Sequence, residues 1–582
     1  MRSLLSTSRS DNEAIQPITI QNTGVSKAAM ISTRSMKNLK IALIAPPYPL
    51  EEAPSPPLGL CYVAAACEAA GARVVILDYI VSKYSPEKLQ AALDDFQPDV
   101  VGATSVTMNF PQAISILRDA KVHMPNAITM MGGPHVSFDV ENTLGRHPEL
   151  DLIVIGEAEQ TLQELLPAVG SRSRWPEIAG IAYRDDDRIL RTPDRPLITD
   201  LDALPLPARH LLPMSRYRAL GFPVSIITSR GCPNRCIFCL GRRMVGNRPR
   251  FRSAERVVDE IEGLLAGGLD IINVADDLFT ANRRRVHALC KEIKRRGLDF
   301  IWSVFARVNT VDPELLKAMR AAGCYSISFG IESGNADMLK RVKKGITLEQ
   351  ARRAVEWSKG AGLRTHASFM VGLPGESTAT LEETRRFAES LEIEYGFHFL
   401  SPFPGTTVRE AIDQYDLEIL TDDWTLYDAN QAIVRTQALA PEQMDDFVNV
   451  ACRKQIEERD AIESRYLQGN CSQDEFMAFE GYYRMKLAYE ILSADIINEN
   501  EALPDDPFNP TAPLVEHIAQ ATHMDKGLIE RSIKNFLERG FIDYRKIPQG
   551  IQWFWTHIAA PSPPPLHNPS PENDGNTGAH DR

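Results

Sequence analysis

Short apolar runs alternate with amphipathic stretches over most of the 582-residue chain. In residues 38–170, five runs have the length and composition of buried parallel strands, and helical patterns separate them. Alternating strands and helices predict a doubly wound parallel sheet, which binds ligands at the carboxyl ends of its strands. Gly132, Gly133 and Gly156 lie at two of those ends. The five runs are KIALIAPP, VVILDYI, VVGATSV, AITMMGG and LIVIGEAE.

A second region, residues 222–415, repeats a strand-then-helix unit six times. Ser253 stands where the N-cap of the first of these helices is expected. Six consecutive units predict a partial (β/α)6 barrel of the TIM type, with functional residues at the carboxyl ends of its strands. The strands are VSIITSRG, IINVADDLF, FIWSVFAR, YSISFGIES, RTHASFMVG and YGFHFLSPF.

The remaining segments have weaker patterns. Residues 171–221 form a proline-rich connector that contains a hairpin-like piece, and their proline density predicts an extended crossing segment. Residues 416–558 are predicted to be mostly helical and to end in a winged-helix-like part. The polar leader, residues 1–37, and the proline- and asparagine-rich tail, residues 559–582, are predicted to be disordered.

Composition narrows the function classes. The formal net charge of −13 gives no support to nucleic-acid binding or to anchoring on an anionic membrane. No apolar run is long enough to span a bilayer, and no secretory signal is visible at the N-terminus. A cytoplasmic location is therefore expected. In that reducing compartment, the nine cysteines are expected to be thiols and metal ligands.

The sequence RGCPNRCIFC places Cys232, Cys236 and Cys239 directly after the first barrel strand. This C-x3-C-x2-C spacing lets one loop ligate three irons of a cubane cluster through thiolates. The fourth iron then stays open to chelate the amino and carboxylate groups of S-adenosylmethionine. The alternative is a zinc knuckle, which needs a fourth ligand, and His210 is the nearest upstream candidate.

The motif and its setting resemble the radical S-adenosylmethionine superfamily. More narrowly, residues 38–415 resemble its class with an N-terminal cobalamin-binding domain. That class includes methyltransferases of unactivated carbons and the anaerobic magnesium-protoporphyrin ester cyclase. The resemblance implies a Rossmann-like cobalamin-binding domain, a radical S-adenosylmethionine barrel and a helical C-terminal region. It also implies three cofactors: a 4Fe-4S cluster, S-adenosylmethionine and cobalamin.

The resemblance assigns further strand-end residues to S-adenosylmethionine. Asp276, and with it Asp277, ends the second strand in VADDLF; Arg307 ends the third and suits the methionine carboxylate. Glu332 and Ser333 end the fourth in FGIESG, where a carboxylate can accept the ribose hydroxyls. FMVGLPGE resembles the adenine-side segment. Alternatively, these residues cap helices or pair with other charges.

The cobalamin-binding pattern departs from its best-known form, D-x-H-x-x-G. The loop after the second strand begins at Asp78 and has Ile80 where the ligand histidine is expected, so no histidine of this loop is predicted to ligate cobalt. GGPH and GEAE match the class and supply Gly132, Gly133 and Gly156 for close backbone approach to the cofactor. His135 is interpreted as a loop histidine.

Three functions follow. The first is cobalamin-dependent methyl transfer to an unactivated carbon through a 5'-deoxyadenosyl radical. The second is a radical oxidative cyclisation or rearrangement on the same scaffold. The third is DNA-binding regulation, suggested by the winged-helix-like part. Acidic residues are interleaved with the lysines and arginines of this part, which favours a substrate-covering domain over a DNA-binding one. The expected partners are a small-molecule substrate and an electron donor such as flavodoxin or ferredoxin.

Overall fold

The computed structural model describes residues 39–48, 55–497 and 501–557, without the side chains of residues 454, 455 and 478. The segments 1–37 and 559–582, for which disorder is expected, lie outside the described residues. No helix in the described ranges is long and apolar enough to cross a membrane.

The first region is built on a seven-stranded sheet. Five parallel strands lie in the order β2-β1-β3-β4-β5. Gly71, at φ +90°, follows the first helix as its sequence pattern predicts. The elements are β1 Lys40–Ala45, α1 Leu58–Ala69, β2 Arg73–Asp78, α2 Pro86–Phe96, β3 Val100–Thr104, α3 Phe110–His123, β4 Ile128–Gly132, α4 Pro134–Phe138, α5 Val140–Arg146, β5 Leu152–Val154 and α6 Glu159–Leu165.

The connector contains the hairpin that its sequence predicts. Its hairpin, β6 Ile181–Asp185 and β7 Arg188–Arg191, pairs antiparallel with β5 and extends the first sheet. The physical reason is that the edge of β5 offers unpaired backbone groups that a neighbouring strand can satisfy. The connector ends in helix α7, Met214–Leu220, which Gly221 terminates at φ +73°.

The second region is an open six-stranded parallel sheet whose strands follow chain order, with helices between them. Ser253 caps α9 by accepting a hydrogen bond from the backbone of Arg256, which confirms the sequence prediction. The elements are β8 Val224–Ile226, β9 Ser229–Arg230, α8 Gly241–Val245, β10 Arg250–Phe251, α9 Ala254–Ala266, β11 Ile271–Val274, α10 Arg283–Arg296, β12 Ile301–Ala306, α11 Pro313–Ala321, β13 Cys324–Glu332, α12 Ala336–Arg341, α13 Leu348–Gly360, β14 Arg364–Val371, α14 Thr378–Ser390 and β15 Glu394–Phe399.

The third region is mostly helical. After α15 and two short strands, a long helical pair leads to two helices and a β-hairpin, the arrangement typical of a winged helix. This last unit packs on α7 of the connector, where the Arg218 guanidinium lies 4.9 Å from the centre of the Phe541 ring. The elements are α15 Thr407–Glu410, β16 Leu417–Ile419, β17 Val434–Thr436, α16 Pro441–Leu467, α17 Gln473–Ala494, β18 Ala502–Leu503, α18 Ala512–Thr522, α19 Lys526–Glu538, β19 Ile542–Ile547 and β20 Gly550–Trp555.

Candidate active site at the domain interface

The cysteine loop begins at Gly231, directly after β9. Gly231 has φ +109°, and a Cβ there would lie 2.6 Å from the carbonyl oxygen of Arg248, so the tight start of the loop requires glycine. Several backbone hydrogen bonds then hold the loop. The amide of Cys232 donates to the carbonyl of Gly246 (3.1 Å), and the amide of Ile237 donates to the carbonyl of Val342 (3.1 Å).

Each of the three cysteine sulfurs has a nitrogen donor beside it. The side-chain amide of Asn234 lies 3.3 Å from the sulfur of Cys232, and the backbone amide of Gly241 lies 3.4 Å from that of Cys239. The Arg307 guanidinium lies 3.6 Å from the sulfur of Cys236. Donors around sulfur stabilise thiolates and tune the potential of a cluster that they bind. Donors placed in this way suit thiolates that ligate an iron-sulfur cluster.

Asp276 anchors the chain just before this loop. Its Oδ1 accepts the backbone N–H groups of Thr228 (2.6 Å) and Ser229 (3.0 Å). Its Oδ2 accepts the hydroxyls of the same two residues, at 2.5 and 2.6 Å. The carboxylate is buried, and these four hydrogen bonds tie it to Thr228 and Ser229. Its geometry is that of a clamp on the chain leading to the cysteines.

Glu332 ends β13 with a backbone φ of +75°, in the left-handed region that non-glycine residues rarely adopt. Its Oε1 accepts a hydrogen bond from the ammonium of Lys344 at 2.6 Å, and both side chains are buried. The pairing engages Oε1, one of the two carboxylate oxygens. The consecutive lysines of RVKKG are the only sequence signal for this partner, and sequence reasoning missed it.

Two other predicted residues lie close by with different surroundings. Arg307 reaches Cys236 and also donates to the backbone carbonyl of Lys344, so it ties the cysteine loop to the loop that carries the partner of Glu332. Ser333 is fully buried, lies 3.1 Å from the hydroxyl of Thr384, and accepts the amide of Asn335 (3.1 Å). Its hydroxyl is therefore occupied by protein contacts at the start of α12.

A cavity of about 330 Å³ lies between the carboxyl edge of the first sheet and the start of the barrel. Gly132, Gly133 and Gly156 all line it, as the sequence predicts for a ligand crevice. From the barrel side, Ser229, Arg230 and Asp277 complete the wall. The cavity therefore brings the ligand edge of the first domain against the chain that leads to Cys232.

The glycines of this cavity are required for different reasons. At Gly133, with φ +109°, a Cβ would lie 2.4 Å from the carbonyl oxygen of Ser105, so no other residue fits without a backbone shift. At Gly156, with φ +71°, a Cβ would meet no atom within 4 Å. There the positive φ favours glycine, and a side chain would project into open space in the cavity.

A buried ion-pair cluster crosses the same interface. Arg230, two residues before Cys232, donates to Glu157 (3.1 Å) and to Glu159 (2.5 Å) of the GEAE segment. Glu157 also binds Arg250 through two hydrogen bonds, of 2.8 and 2.9 Å. These cations hold the pKa of Glu157 below its usual value in spite of burial. Both glutamates and Arg230 are visible in the sequence, but their pairing is not.

Comparison with known proteins agrees with this arrangement. Residues 226–388 match the family model of the radical SAM superfamily, and residues 52–166 match that of the B12 binding domain. An uncharacterised methyltransferase of Pyrococcus horikoshii is 35% identical over 426 residues, which cover 72% of this chain and 92% of the relative. The anaerobic magnesium-protoporphyrin IX monomethyl ester cyclase of Rubrivivax gelatinosus is 30% identical over 402 residues, covering 67% and 71%.

The fold is also that of a solved protein. The structure of OxsB, a cobalamin-dependent S-adenosylmethionine radical enzyme, matches with a TM-score of 0.63 at 18% identity, over 86% of this chain and 79% of that one. The chain belongs to the cobalamin-binding class of radical S-adenosylmethionine enzymes. The cofactors of this radical enzyme are a 4Fe-4S cluster, S-adenosylmethionine and cobalamin. These findings confirm the family, the fold class and the cofactors expected from the sequence.

In this radical enzyme, hydrogen bonds from helix α7 hold the Asp78 loop. Asp78 is buried, and it accepts the hydroxyl of Tyr217 (2.7 Å) and the amide of Ile80 (3.0 Å). Burial raises the pKa of Asp78 to about 6. Arg216 donates to the carbonyl of Val81 at 3.0 Å. Helix α7 therefore covers the loop from which many cobalamin proteins present a histidine.

His135, from the GGPH segment, does not line the interface cavity. Its ring is buried and stacks on Phe110 at 4.2 Å, with Trp424 edge-on at 5.0 Å. Burial, with help from the nearby Arg409, lowers the pKa of His135 to about 3, so its ring is neutral. The sequence interprets His135 as a loop histidine, but the structure places it in helix α4, where its ring packs in the core of the first domain.

Proposed function

We propose that this enzyme transfers a methyl group to an unactivated carbon of a small-molecule substrate. The observation that carries the proposal is the cavity in which the glycine-lined edge of the first domain meets the chain leading to the cysteine loop. When bound, the cluster supplies the electron that cleaves S-adenosylmethionine, and cobalamin carries the methyl group. Radical generation and methyl delivery then lie on two sides of one interface.

The chain's own residues are assigned as follows. Cys232, Cys236 and Cys239 hold the cluster, and Arg307 and Glu332 bind S-adenosylmethionine through its carboxylate and its ribose hydroxyls. Arg307 suits a carboxylate because its planar fork carries several donors and a fixed positive charge. Glu332 is held ready by Lys344, which compensates the charge of one carboxylate oxygen.

For cobalamin, the proposed site is the interface cavity. Its volume is at the lower end of small-ligand pockets, which suits one end of a large cofactor and not the whole. Gly132, Gly133 and Gly156 let the backbone approach that end closely. The Asp78 loop contributes no histidine, so cobalt is proposed to lack a ligand from that loop.

The test combines reconstitution with product analysis. Anaerobically reconstituted enzyme should convert S-adenosylmethionine into both 5'-deoxyadenosine and S-adenosylhomocysteine. A product carrying the deuterated methyl group of labelled S-adenosylmethionine would establish methyl transfer, whereas a product with no added carbon would establish cyclisation or rearrangement instead. Replacing the three cysteines with Ala should abolish the cluster absorbance and both cleavage products. A triple variant that keeps a full cluster would refute the ligand assignment.

The rival cyclase function remains the second candidate because the magnesium-protoporphyrin cyclase is itself a 30% identical relative. DNA-binding regulation has less support. The cations of the winged-helix-like part are engaged by acids: Lys526 with Glu516 at 2.6 Å and Arg531 with Glu480 at 2.8 Å. Such pairing removes the basic face that a DNA reader needs.

We also propose a reducing, cytoplasmic setting and an electron donor of the flavodoxin or ferredoxin type. All nine cysteines are free thiols in the structure, which suits a compartment that preserves iron-sulfur clusters.

A further inference from the structure

The cysteine loop of this acidic chain is surrounded by cations. Arg235 lies inside the loop between Cys232 and Cys236 and is exposed, as are Arg248 and Lys343. Arg242 lies on α8, three residues after Cys239, and is half-buried. The chain as a whole carries a formal charge of −13, so this concentration of positive charge is a local departure.

Backbone hydrogen bonds place these cations beside the loop. The bond from Cys232 to Gly246 brings Arg248 alongside the first cysteine, and a Cβ on Gly231 would touch the Arg248 carbonyl. The bond from Ile237 to Val342 brings Lys343 alongside the second half of the loop. The four cations therefore flank the loop from both sides and from within.

These cations are uncompensated, unlike their neighbours. Arg243 pairs with Glu410, and Lys340 pairs with Asp337 at 3.2 Å. Among the described residues, no hydrogen bond or ion pair involves the side chains of the four flanking cations, Arg235, Arg242, Arg248 and Lys343. Unpaired exposed charge is available to a partner, and the attraction between complementary surfaces chiefly raises the association rate.

The chemistry of the proposed function calls for such a partner. Reductive cleavage of S-adenosylmethionine takes up one electron, breaks one carbon–sulfur bond, and leaves methionine and a 5'-deoxyadenosyl radical. The electron comes from outside the chain, through the protein surface nearest to the cluster. The four cations flank the cysteine loop, so a carrier that approaches this loop comes close to them.

We propose that Arg235, Arg242, Arg248 and Lys343 form the docking surface for an acidic, low-potential one-electron carrier of the flavodoxin or ferredoxin type. The inference rests on the proposed function, since it assigns the cysteine loop to the cluster. The carrier's carboxylates face these cations, and the short path from the surface to the cysteines serves electron entry.

The test compares two triple variants with the same change of charge. The first is Arg235→Glu, Arg248→Glu and Lys343→Glu. The control is Arg73→Glu, Lys291→Glu and Lys317→Glu, which replaces three exposed cations with no ion pair among the described residues. Formation of 5'-deoxyadenosine is followed at low ionic strength with two reductants, purified reduced flavodoxin and dithionite. Dithionite is a small reductant that needs no docking surface.

The docking variant should lose roughly 10-fold or more of its flavodoxin-driven rate, as expected when electrostatic steering is removed. Its dithionite-driven rate should stay within about twofold of the parent rate, and the control variant should match the parent with both reductants. Salt should slow the parent with flavodoxin and leave the docking variant largely unaffected.

Two results would overturn the docking surface. An unchanged flavodoxin rate would show that the cations do not steer the carrier. An equal fall with both reductants, in a variant with full cluster content, would show that they serve the cofactors or an anionic substrate. If the triple variant incorporates less cluster, the double variant Arg248→Gln, Lys343→Gln replaces it in the same comparison of the two reductants. The salt dependence of the flavodoxin-driven rate of the parent is then the second test of the docking surface. A parent enzyme with no dithionite-driven cleavage would instead refute the proposed function.

Discussion

Asp276 provides the sharpest test of how this site is held together. The Asp276→Ala change removes a carboxylate whose two oxygens accept four hydrogen bonds from Thr228 and Ser229. The two backbone N–H groups would be left buried without acceptors. The hydroxyls can turn to other partners, so the backbone groups carry most of the cost.

The magnitude follows from the geometry. An orphaned buried donor costs about 1–3 kcal/mol, so Asp276→Ala should lower the free energy of unfolding by roughly 3–5 kcal/mol. Asp276→Asn keeps one oxygen in the place of Oδ1, which accepts both backbone N–H groups. It loses the charge, and its amide nitrogen replaces Oδ2 as a donor, so the two hydroxyls must turn to accept from it. Its cost should be about 1–2 kcal/mol.

Scanning calorimetry of the anaerobic apoprotein measures the difference. For a domain of this size, each kcal/mol of lost stability lowers the melting temperature by about 2–4 °C. Asp276→Ala should therefore lower the melting temperature of the barrel by roughly 10 °C. Asp277→Asn is the neighbouring control, because Asp277 accepts one bond of 3.3 Å from Gly231. Cluster content after reconstitution should fall in the Ala variant because the chain before Cys232 loses its anchor.

One outcome would reverse this interpretation. Both Asp276 variants could have the melting temperature of the parent protein and yet bind S-adenosylmethionine more than tenfold more weakly. The carboxylate would then contact the cofactor, as the family resemblance implied. The structural clamp would then be wrong.

Three further changes test other parts of the site. Arg230→Leu strands the buried carboxylate of Glu159 and should cost roughly 3–5 kcal/mol in urea denaturation; a change below about 0.5 kcal/mol would contradict the buried bridge. Gly133→Ala should lower the free energy of unfolding by at least about 2 kcal/mol and weaken the retention of cobalamin on gel filtration. Gly145→Ala is the control and should have neither effect, because its Cβ would meet no atom closer than 3.9 Å. Burial raises the pKa of Glu376 to about 8. The folded state therefore keeps a proton that the unfolded chain releases near pH 4.5, so the free energy of unfolding falls as the pH rises towards 8. Glu376→Gln removes this dependence, and its free energy of unfolding relative to that of the parent should rise by about 2–3 kcal/mol between pH 6 and 9. Parallel pH profiles of the two proteins would refute the raised pKa.

Much of the architecture was predictable because it depends on local patterns. Apolar runs separated by amphipathic stretches predict both parallel sheets, and the helix caps at Ser253 and Gly71 follow from the residues at those positions. The cysteine motif is equally local, since one loop supplies all three sulfurs. Parallel sheets also bring the carboxyl ends of their strands together, which is why Gly132, Gly133 and Gly156 could be expected in one crevice.

The connector hairpin shows a feature that local patterns do not predict, namely its partner strand. Its residues predict a hairpin but not which sheet edge it joins, and the structure pairs it with β5. That choice depends on which edge is left open after the other elements pack.

The sequence by itself determined which groups are present: the three thiols, the strand-end carboxylates and the glycines with their conformational freedom. Tertiary structure alone decided how these groups are paired. Asp276 turned out to anchor the chain before the cysteine loop, Lys344 to neutralise Glu332, and Arg230 to bridge to glutamates more than 70 residues away. The reason is that these contacts depend on distance in space and not on distance along the chain. They become defined when the barrel folds, and for Arg230 when the first domain docks on the barrel.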